Sequence, residues 1–125
     1  MTAKARMKKA LRDPPIGYPV AMDEYDSTQE DYMQYGDDYN KFKALIVYNV
    51  STSDASFFAD NEVKKETTYF QVHIYSIKNF NENTLIKEIR TRIMAAGFGY
   101  PNKEIDTVDD GIRHICLTTN ITQGE

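Results

Sequence analysis

The chain lacks tryptophan, holds a single cysteine and carries no excess of basic residues. The one cysteine, Cys116, excludes an internal disulfide and any metal site built from several cysteines of one chain. The 15 basic and 19 acidic side chains give a net charge of -4. This balance argues against a general nucleic-acid-binding protein, because such proteins neutralise phosphates with Lys and Arg. A length of 125 residues fits one domain with a modest core.

Long apolar runs are also missing. The longest ones, such as residues 44–48, are far shorter than the roughly 20 residues that a membrane-spanning helix needs. No apolar stretch follows the basic N-terminus, as a signal peptide would require. We therefore expect a protein that is made and kept in the cytoplasm and has no membrane partner.

Charge is distributed unevenly along the chain. Residues 1–12 carry five bases and no acid, and we expect these bases to form a solvated helix face or a frayed terminus. Residues 23–42 are rich in acids and tyrosines, show no clear period and are too long for an ordinary connection. We interpret them as an insertion that orders against a partner. Its candidate contact residues are Asp23, Glu24, Tyr25, Asp26, Glu30, Asp31, Tyr32, Tyr35, Asp37, Asp38 and Tyr39.

The first half of the chain predicts one helix and two strands. A helix over residues 1–13 has apolar residues at helical spacing and ends at two consecutive prolines, which prevent its continuation. Residues 18–22 predict a short edge strand, because their proline cannot donate to a ladder. Residues 43–50 are apolar on both faces, which is typical of a central strand covered on two sides. The small polar residues 51–61 predict a loop.

The next two elements have clearer patterns. Residues 66–77 alternate between apolar and polar side chains, which predicts a half-buried antiparallel strand. A helix with one apolar stripe follows, and Asn81 or Asn83 can cap its start. Gly97 ends this helix in the left-handed conformation, and Phe98 then falls where a Schellman motif places its apolar contact.

The last part of the chain predicts a hairpin. Residues 104–108 and 112–121 are two strands separated by an Asp-Asp-Gly turn, which is a strong short-range hairpin signal. The order of elements indicates an α+β fold, in which an antiparallel-rich sheet has its helices packed on one face. We expect a single domain over residues 1–125, with one long acidic inserted loop.

Few residues have the spacing of a catalytic or metal site. His114 and Cys116 lie two apart on one predicted strand, so they share a face, and His73 could join them as a metal ligand if its strand lies nearby. No flanking motif supports a thiol enzyme. A buried apolar cysteine beside a hydrogen-bonded histidine explains the same residues.

A metal-dependent nuclease is the other enzymatic alternative. Asp60, Glu62 and Lys64 mimic its spacing, but they fall at the end of the predicted loop or just after it, and only one residue separates the two acids. Nine tyrosines without an assembled active site favour an interaction protein, since tyrosine is enriched at interfaces. We predict that the chain is not an enzyme and binds no cofactor or metal.

Six short motifs follow a predicted N-terminal helix, within residues 16–121. They are GYPVAM at 17–22, ALIVYNV at 44–50, FFADN at 57–61, YFQVHIYS at 69–76, AGF at 96–98 and DDGIRHICL at 109–117. Their order and spacing resemble the small tail-terminator or tail-completion proteins of long-tailed bacteriophages. The acidic stretch at 26–40 departs from the shorter form of that family.

This resemblance implies a virion protein of the phage neck, assembled in the host cytoplasm. The resemblance also implies a hexameric ring that caps the tail tube, stops tube polymerisation and meets the head-completion or stopper protein. DNA would pass through the lumen without specific binding, and the acidic stretch would face the lumen or order on a partner ring. A head–tail connector or stopper of the same neck is the alternative within this class. A small metal-dependent hydrolase is the alternative from another class.

Overall fold

The described residues form five strands and four helices. The structure is a computed structural model that describes residues 1–59 and 62–124, without the side chains of Tyr39, 54–59 and 62–64. In chain order the elements are α1 (Ala3–Arg12), β1 (Val20–Met22), α2 (Tyr32–Tyr35), α3 (Tyr39–Phe42), β2 (Ala44–Ala59), β3 (Glu62–Ser76), α4 (Glu82–Ala95), β4 (Asn102–Asp109) and β5 (Ile112–Gly124).

The strands form one sheet in the order β1-β2-β3-β5-β4. β1 is parallel to β2, and the other neighbouring strands are antiparallel. The predicted α+β class and the predicted order of the main elements are therefore confirmed. The expected edge strand is confirmed as well, although it begins only after Pro19. None of the described helices is long and apolar enough to cross a membrane.

α1 and α4 pack side by side on one face of the sheet, as expected. Thr2 caps α1 by accepting a hydrogen bond from the main-chain N–H of Ala5 at 3.1 Å. The apolar stripes of both helices are buried against β2, β3 and β5. The largest fully buried side chains of this core are Phe70, Met7, Leu11, Ile46, Ile74, Ile89, Ile93, Ile115 and Leu117.

The C-terminus of α4 confirms the predicted Schellman motif. Gly97 has a φ of 98°, and its N–H donates to the carbonyl of Met94 at 3.0 Å. The N–H of Phe98 donates to the carbonyl of Ile93 at 3.3 Å, and both side chains join the same buried cluster. At the other end Asn81 is the N-cap residue, but its side chain makes no capping hydrogen bond.

The predicted loop over residues 51–61 is wrong where the structure describes it. β2 continues through the small polar residues to Ala59, with a bulge between Val50 and Thr52, and pairs with β3 along this length. The ladder to β3 supplies the backbone hydrogen bonds, so the short, exposed side chains of Ser51, Thr52 and Ser53 suffice in this strand. Asp60 and Asn61 lie outside the described residues.

The final hairpin agrees with its prediction. β4 and β5 are antiparallel, and Asp109 lies opposite Ile112. Asp110 and Gly111 occupy the two positions of the turn, with φ angles of 56° and 79°. Two consecutive positive φ angles fit a two-residue type I′ turn, which twists in the same sense as the strands.

Candidate functional site

Residues 23–42, which we call the acidic segment, pack on their own chain. The ring of Tyr25 contacts the rings of Tyr32 and Phe42, with centroid distances of 5.6 and 5.9 Å. The hydroxyl of Tyr25 donates to the carbonyl of Gly36. Burial, reinforced by the negative charge of Asp31, raises the pKa of Tyr25 to about 12. These contacts are made within the chain itself, and the role of the segment as a partner contact stays a prediction.

The acidic segment also covers part of the sheet face opposite α1 and α4. Phe42 forms a second buried cluster with Leu45 and Val47 of β2, and three half-buried tyrosines, Tyr25, Tyr35 and Tyr75, pack against it. Burial also raises the pKa of Tyr35. This cover explains why β2 is apolar on both faces, as the sequence predicted.

Two acids of the segment neutralise bases of α1. Glu30 accepts hydrogen bonds from Lys8 at 2.7 Å and from Arg12 at 2.5 Å. Arg12 also reaches Asp31, with its second terminal nitrogen 2.6 Å from the carboxylate. The bonds from Arg12 and Lys8 lower the pKa of Glu30 to about 2. Part of the expected solvated basic face is thus paired with the acidic segment.

The same segment closes the outer edge of β1. Asp31, which is only 8% exposed, accepts the main-chain N–H of Val20 at 2.7 Å. Gln29 accepts the N–H of Met22 through its side-chain oxygen at 3.3 Å. Since these two N–H groups are the donors that β1 would offer to a further strand, an added strand cannot pair with them.

The remaining predicted contact residues are placed differently. Asp26 is half-buried, and its carboxylate accepts bonds from the backbone and side chain of Thr28 in a local turn. The exposed acids of the segment are Asp23, Glu24, Glu30, Asp37 and Asp38. The side chain of Tyr39 lies outside the described residues. Met33, which the sequence did not single out, is 91% exposed on α2.

The edge formed by β4 is open in the described part of the chain. All eight residues of β4 are exposed, and they include two large apolar ones, Ile105 and Val108. A bulge between Lys103 and Ile105 interrupts its register with β5. The sheet consequently has one edge closed by the acidic segment and one edge that remains available for contact.

His73 and His114 form a half-buried pair on the face opposite the long helices. Nδ1 of His73 lies 2.8 Å from Nε2 of His114, and Nε2 of His73 lies 3.1 Å from Oδ1 of Asn49. The ring of Tyr75 stacks on His114 with a centroid distance of 4.6 Å. Burial, followed by the charge of His114, lowers the pKa of His73.

This pair does not form the metal or thiol site considered from the sequence. β3 does lie beside β5, with His73 opposite Cys116. Even so, no group of three metal-ligating side chains occurs among the described residues. Cys116 is 1% exposed, and burial raises the pKa of its thiol, which opposes formation of a nucleophilic thiolate. In the nuclease-like set, Asp60 lies outside the described residues, and the side chains of Glu62 and Lys64 lie outside the described side chains.

Comparison with known proteins supports the fold and gives no function. No family model and no curated protein matches the chain. Solved structures do share its fold. One of them, whose name states no activity, is similar with a TM-score of 0.59 and 13% sequence identity, over 98% of this chain and 92% of that one. At this identity the likeness concerns the arrangement of helices and strands alone.

Proposed function

We propose that this protein is a structural component of the neck of a long-tailed phage. In this proposal it is a tail terminator, which forms a ring on the tail tube, ends tube polymerisation and joins the tail to the head-completion protein. The observation that carries the proposal is the order of the short motifs along residues 16–121. The protein would act in the virion after assembly in the host cytoplasm.

The positions of these motifs in the fold support the proposal. The first lies at β1, and the second, fourth and sixth lie on β2, β3 and the β4–β5 hairpin. The fifth spans the C-terminal turn of α4, where Gly97 has its positive φ. Motifs at strands and turns are those that a shared fold preserves.

The unequal edges of the sheet suit a closed ring. Ring assembly uses two different patches of each subunit, so that each copy meets the next one head to tail. Here β1 is closed by Asp31 and Gln29, whereas β4 is exposed. A domain of this length has a radius of gyration of about 14 Å and a width of about 35 Å. Six such domains around an axis leave an opening wide enough for duplex DNA.

The exposed acids of the acidic segment add negative charge to such a ring. Asp23, Glu24, Asp37 and Asp38 are the members of the predicted contact set that are exposed and have no ion pair in the described structure. We expect them to face a partner or the lumen, where negative charge keeps passing DNA from binding.

Native mass spectrometry of the purified protein, alone and with the tail-tube protein of the same phage, tests this function. We expect a six-fold species, or a monomer that becomes six-fold only at tube ends, and shorter tubes when the protein is added during polymerisation. Matched tubes grown with an unrelated acidic protein of similar size serve as the control. A protein that stays monomeric and leaves tube length unchanged contradicts the proposal. Assembly on the portal side instead of on the tube would identify a connector or stopper.

A further inference from the structure

A shallow groove lies between α4 and the chain that leads into β4. Its volume is about 450 Å³, and its lining includes Lys87, Arg90, Met94, Tyr100 and Lys103. Met94 and Tyr100 are 43% and 55% exposed, so the groove offers apolar surface to a ligand. None of the described residues that line it is acidic, whereas three of them are cations.

The shape of this groove is fixed by Arg90. Its guanidinium carbon lies 4.9 Å from the centre of the Tyr100 ring, and its Nε donates to the carbonyl of Pro101 at 2.9 Å. These contacts hold Tyr100 against α4, while Lys87 and Lys103 lie on the exposed rim. The groove therefore presents an ordered aromatic ring flanked by two exposed lysines, of which Lys103 is ion-paired with Asp106 at 3.2 Å.

A complementary patch lies on the acidic segment. Met33 projects from α2 with 91% of its surface exposed, which is the largest exposed fraction among the large apolar residues described. Gln34, Asp37 and Asp38 are exposed beside it in the sequence. One exposed apolar side chain, with two exposed carboxylates four and five residues further along the chain, matches a groove with apolar walls and a basic rim.

The groove and the Met33 patch are on opposite sides of the molecule. The groove adjoins β4, whereas Asp31, directly before α2, is bonded to β1. β1 and β4 are the two outer strands of the five-stranded sheet. Strands are spaced by about 4.8 Å, so about 19 Å separates the two edges and one chain cannot bring its own two surfaces together.

We propose that the Met33 patch of one subunit docks in the groove of the next subunit. Met33 inserts between Met94 and Tyr100, while the carboxylates of Asp37 and Asp38 lie near the amino groups of Lys87 and Lys103. This inference rests on the ring proposed above and identifies the surfaces that form it. A contact between two different patches is heterologous. Such contacts form a closed ring when a whole number of subunit-to-subunit rotations makes a full turn.

Charge reversal on each surface tests the inference. The groove variant is Lys87→Glu/Lys103→Glu, and the patch variant is Gln34→Lys/Asp37→Lys, which spares Asp38 because that residue caps α3 through the N–H of Asn40. Each variant alone places like charges across the contact. We expect each to raise the protein concentration needed for assembly by about tenfold or more.

An equimolar mixture of the two variants restores opposite charges at every contact. We expect native mass spectrometry to show rings with three copies of each variant in a six-fold species, which is the composition that alternation requires. The control Lys4→Glu/Lys78→Glu makes the same change in net charge as the groove variant, at exposed positions outside both surfaces, and should assemble like the unchanged protein. Circular dichroism verifies that all variants are folded.

The outcomes separate this inference from the proposed function. If the unchanged protein forms rings and both variants assemble equally well, the contact is wrong while the ring stands. If each variant fails to assemble alone and their mixture also fails, although both are folded, the two surfaces do not meet each other and the proposed contact is wrong. If the unchanged protein never assembles, even at tube ends, both the contact and the ring are overturned.

Discussion

The carboxylate of Asp31 accepts the main-chain N–H of Val20 at a distance of 2.7 Å, on the outer side of the edge strand β1. The same carboxylate accepts a bond from Arg12 at 2.6 Å. One nearly buried side chain thus joins the acidic segment, the first helix and the sheet edge. It satisfies a backbone donor that would otherwise be open to another strand.

Replacing Asp31 with Ala should lower the free energy of unfolding by about 1–3 kcal/mol, because the buried N–H of Val20 loses its acceptor. Asp31→Asn should cost less, since the amide oxygen can still accept that N–H while the ion pair with Arg12 is lost. Urea unfolding followed by circular dichroism measures the difference. Asp37→Ala, at an exposed acid of the same segment, should stay within about 0.5 kcal/mol. Equal effects of the Ala and Asn variants would contradict the importance of the bond to Val20.

Gly97→Ala should destabilise the protein by about 1–2 kcal/mol. The φ of 98° at Gly97 lies outside the conformations that residues with a Cβ adopt easily. Space is not the obstacle, since an added Cβ would come no closer than 3.5 Å to a side-chain nitrogen of Arg6. Thermal unfolding is the measurement.

Gly99→Ala is the matched control for that variant. An added Cβ there would contact only Asn120, at 3.7 Å, and the φ of Gly99 is not positive. We expect a change within about 0.5 kcal/mol. Similar losses for both glycines would refute strain at Gly97 as the cause.

The elements that sequence reasoning predicted well are those specified locally. The end of α4 depends on Gly97 and its immediate neighbours, and the final turn depends on Asp110 and Gly111. The alternation of residues 66–77 likewise matches β3, with Phe70, Val72 and Ile74 buried. In each case the signal and the structure that it specifies lie within a few residues of each other.

The features that were missed depend on contacts between distant parts of the chain. The extension of β2 past Val50 is stabilised by β3, which no local pattern of small polar residues indicates. The opposite charges of residues 1–12 and 23–38 were visible, but the sequence does not say that they pair within one molecule. Glu30 and Asp31 meet Arg12 only because the segment folds back along β1.

Protonation of His73 should destabilise the protein. Its pKa is lowered in the folded state by burial and by His114, while an unfolded histidine has a pKa of about 6.5. The unfolded chain therefore binds more protons below about pH 7, and the stability that His73 contributes is present above that pH and is lost as the pH falls.

Urea unfolding of the unchanged protein and of His73→Gln, at pH 7.5 and pH 5.0, measures this contribution. The variant loses the hydrogen bond to Asn49 at both pH values, and this loss lowers its free energy of unfolding at both. The part of the stability difference between the two proteins that changes with pH therefore comes from the titration of His73. We expect the unchanged protein to lose more stability than the variant on acidification. If the two proteins differ in stability by the same amount at both pH values, His73 does not control the pH dependence of stability.

The carboxyl group of Glu30 should titrate far below its usual range. Hydrogen bonds from Arg12, and next from Lys8, lower its pKa to about 2 from an ordinary value of 4.5. Side-chain NMR at low ionic strength measures this pKa. Glu30 is exposed, so salt at about 1 M, where the screening length is about 3 Å, should raise the pKa back toward 4.5.

Arg12→Gln should raise the pKa of Glu30 more than Lys8→Gln does, because Arg12 provides the larger effect. Lys4→Gln, at an exposed position of the same helix, should leave it unchanged. If the pKa of Glu30 is near 4.5 at low salt, or if neither Arg12→Gln nor Lys8→Gln changes it, the acidic segment is not held against α1 in solution.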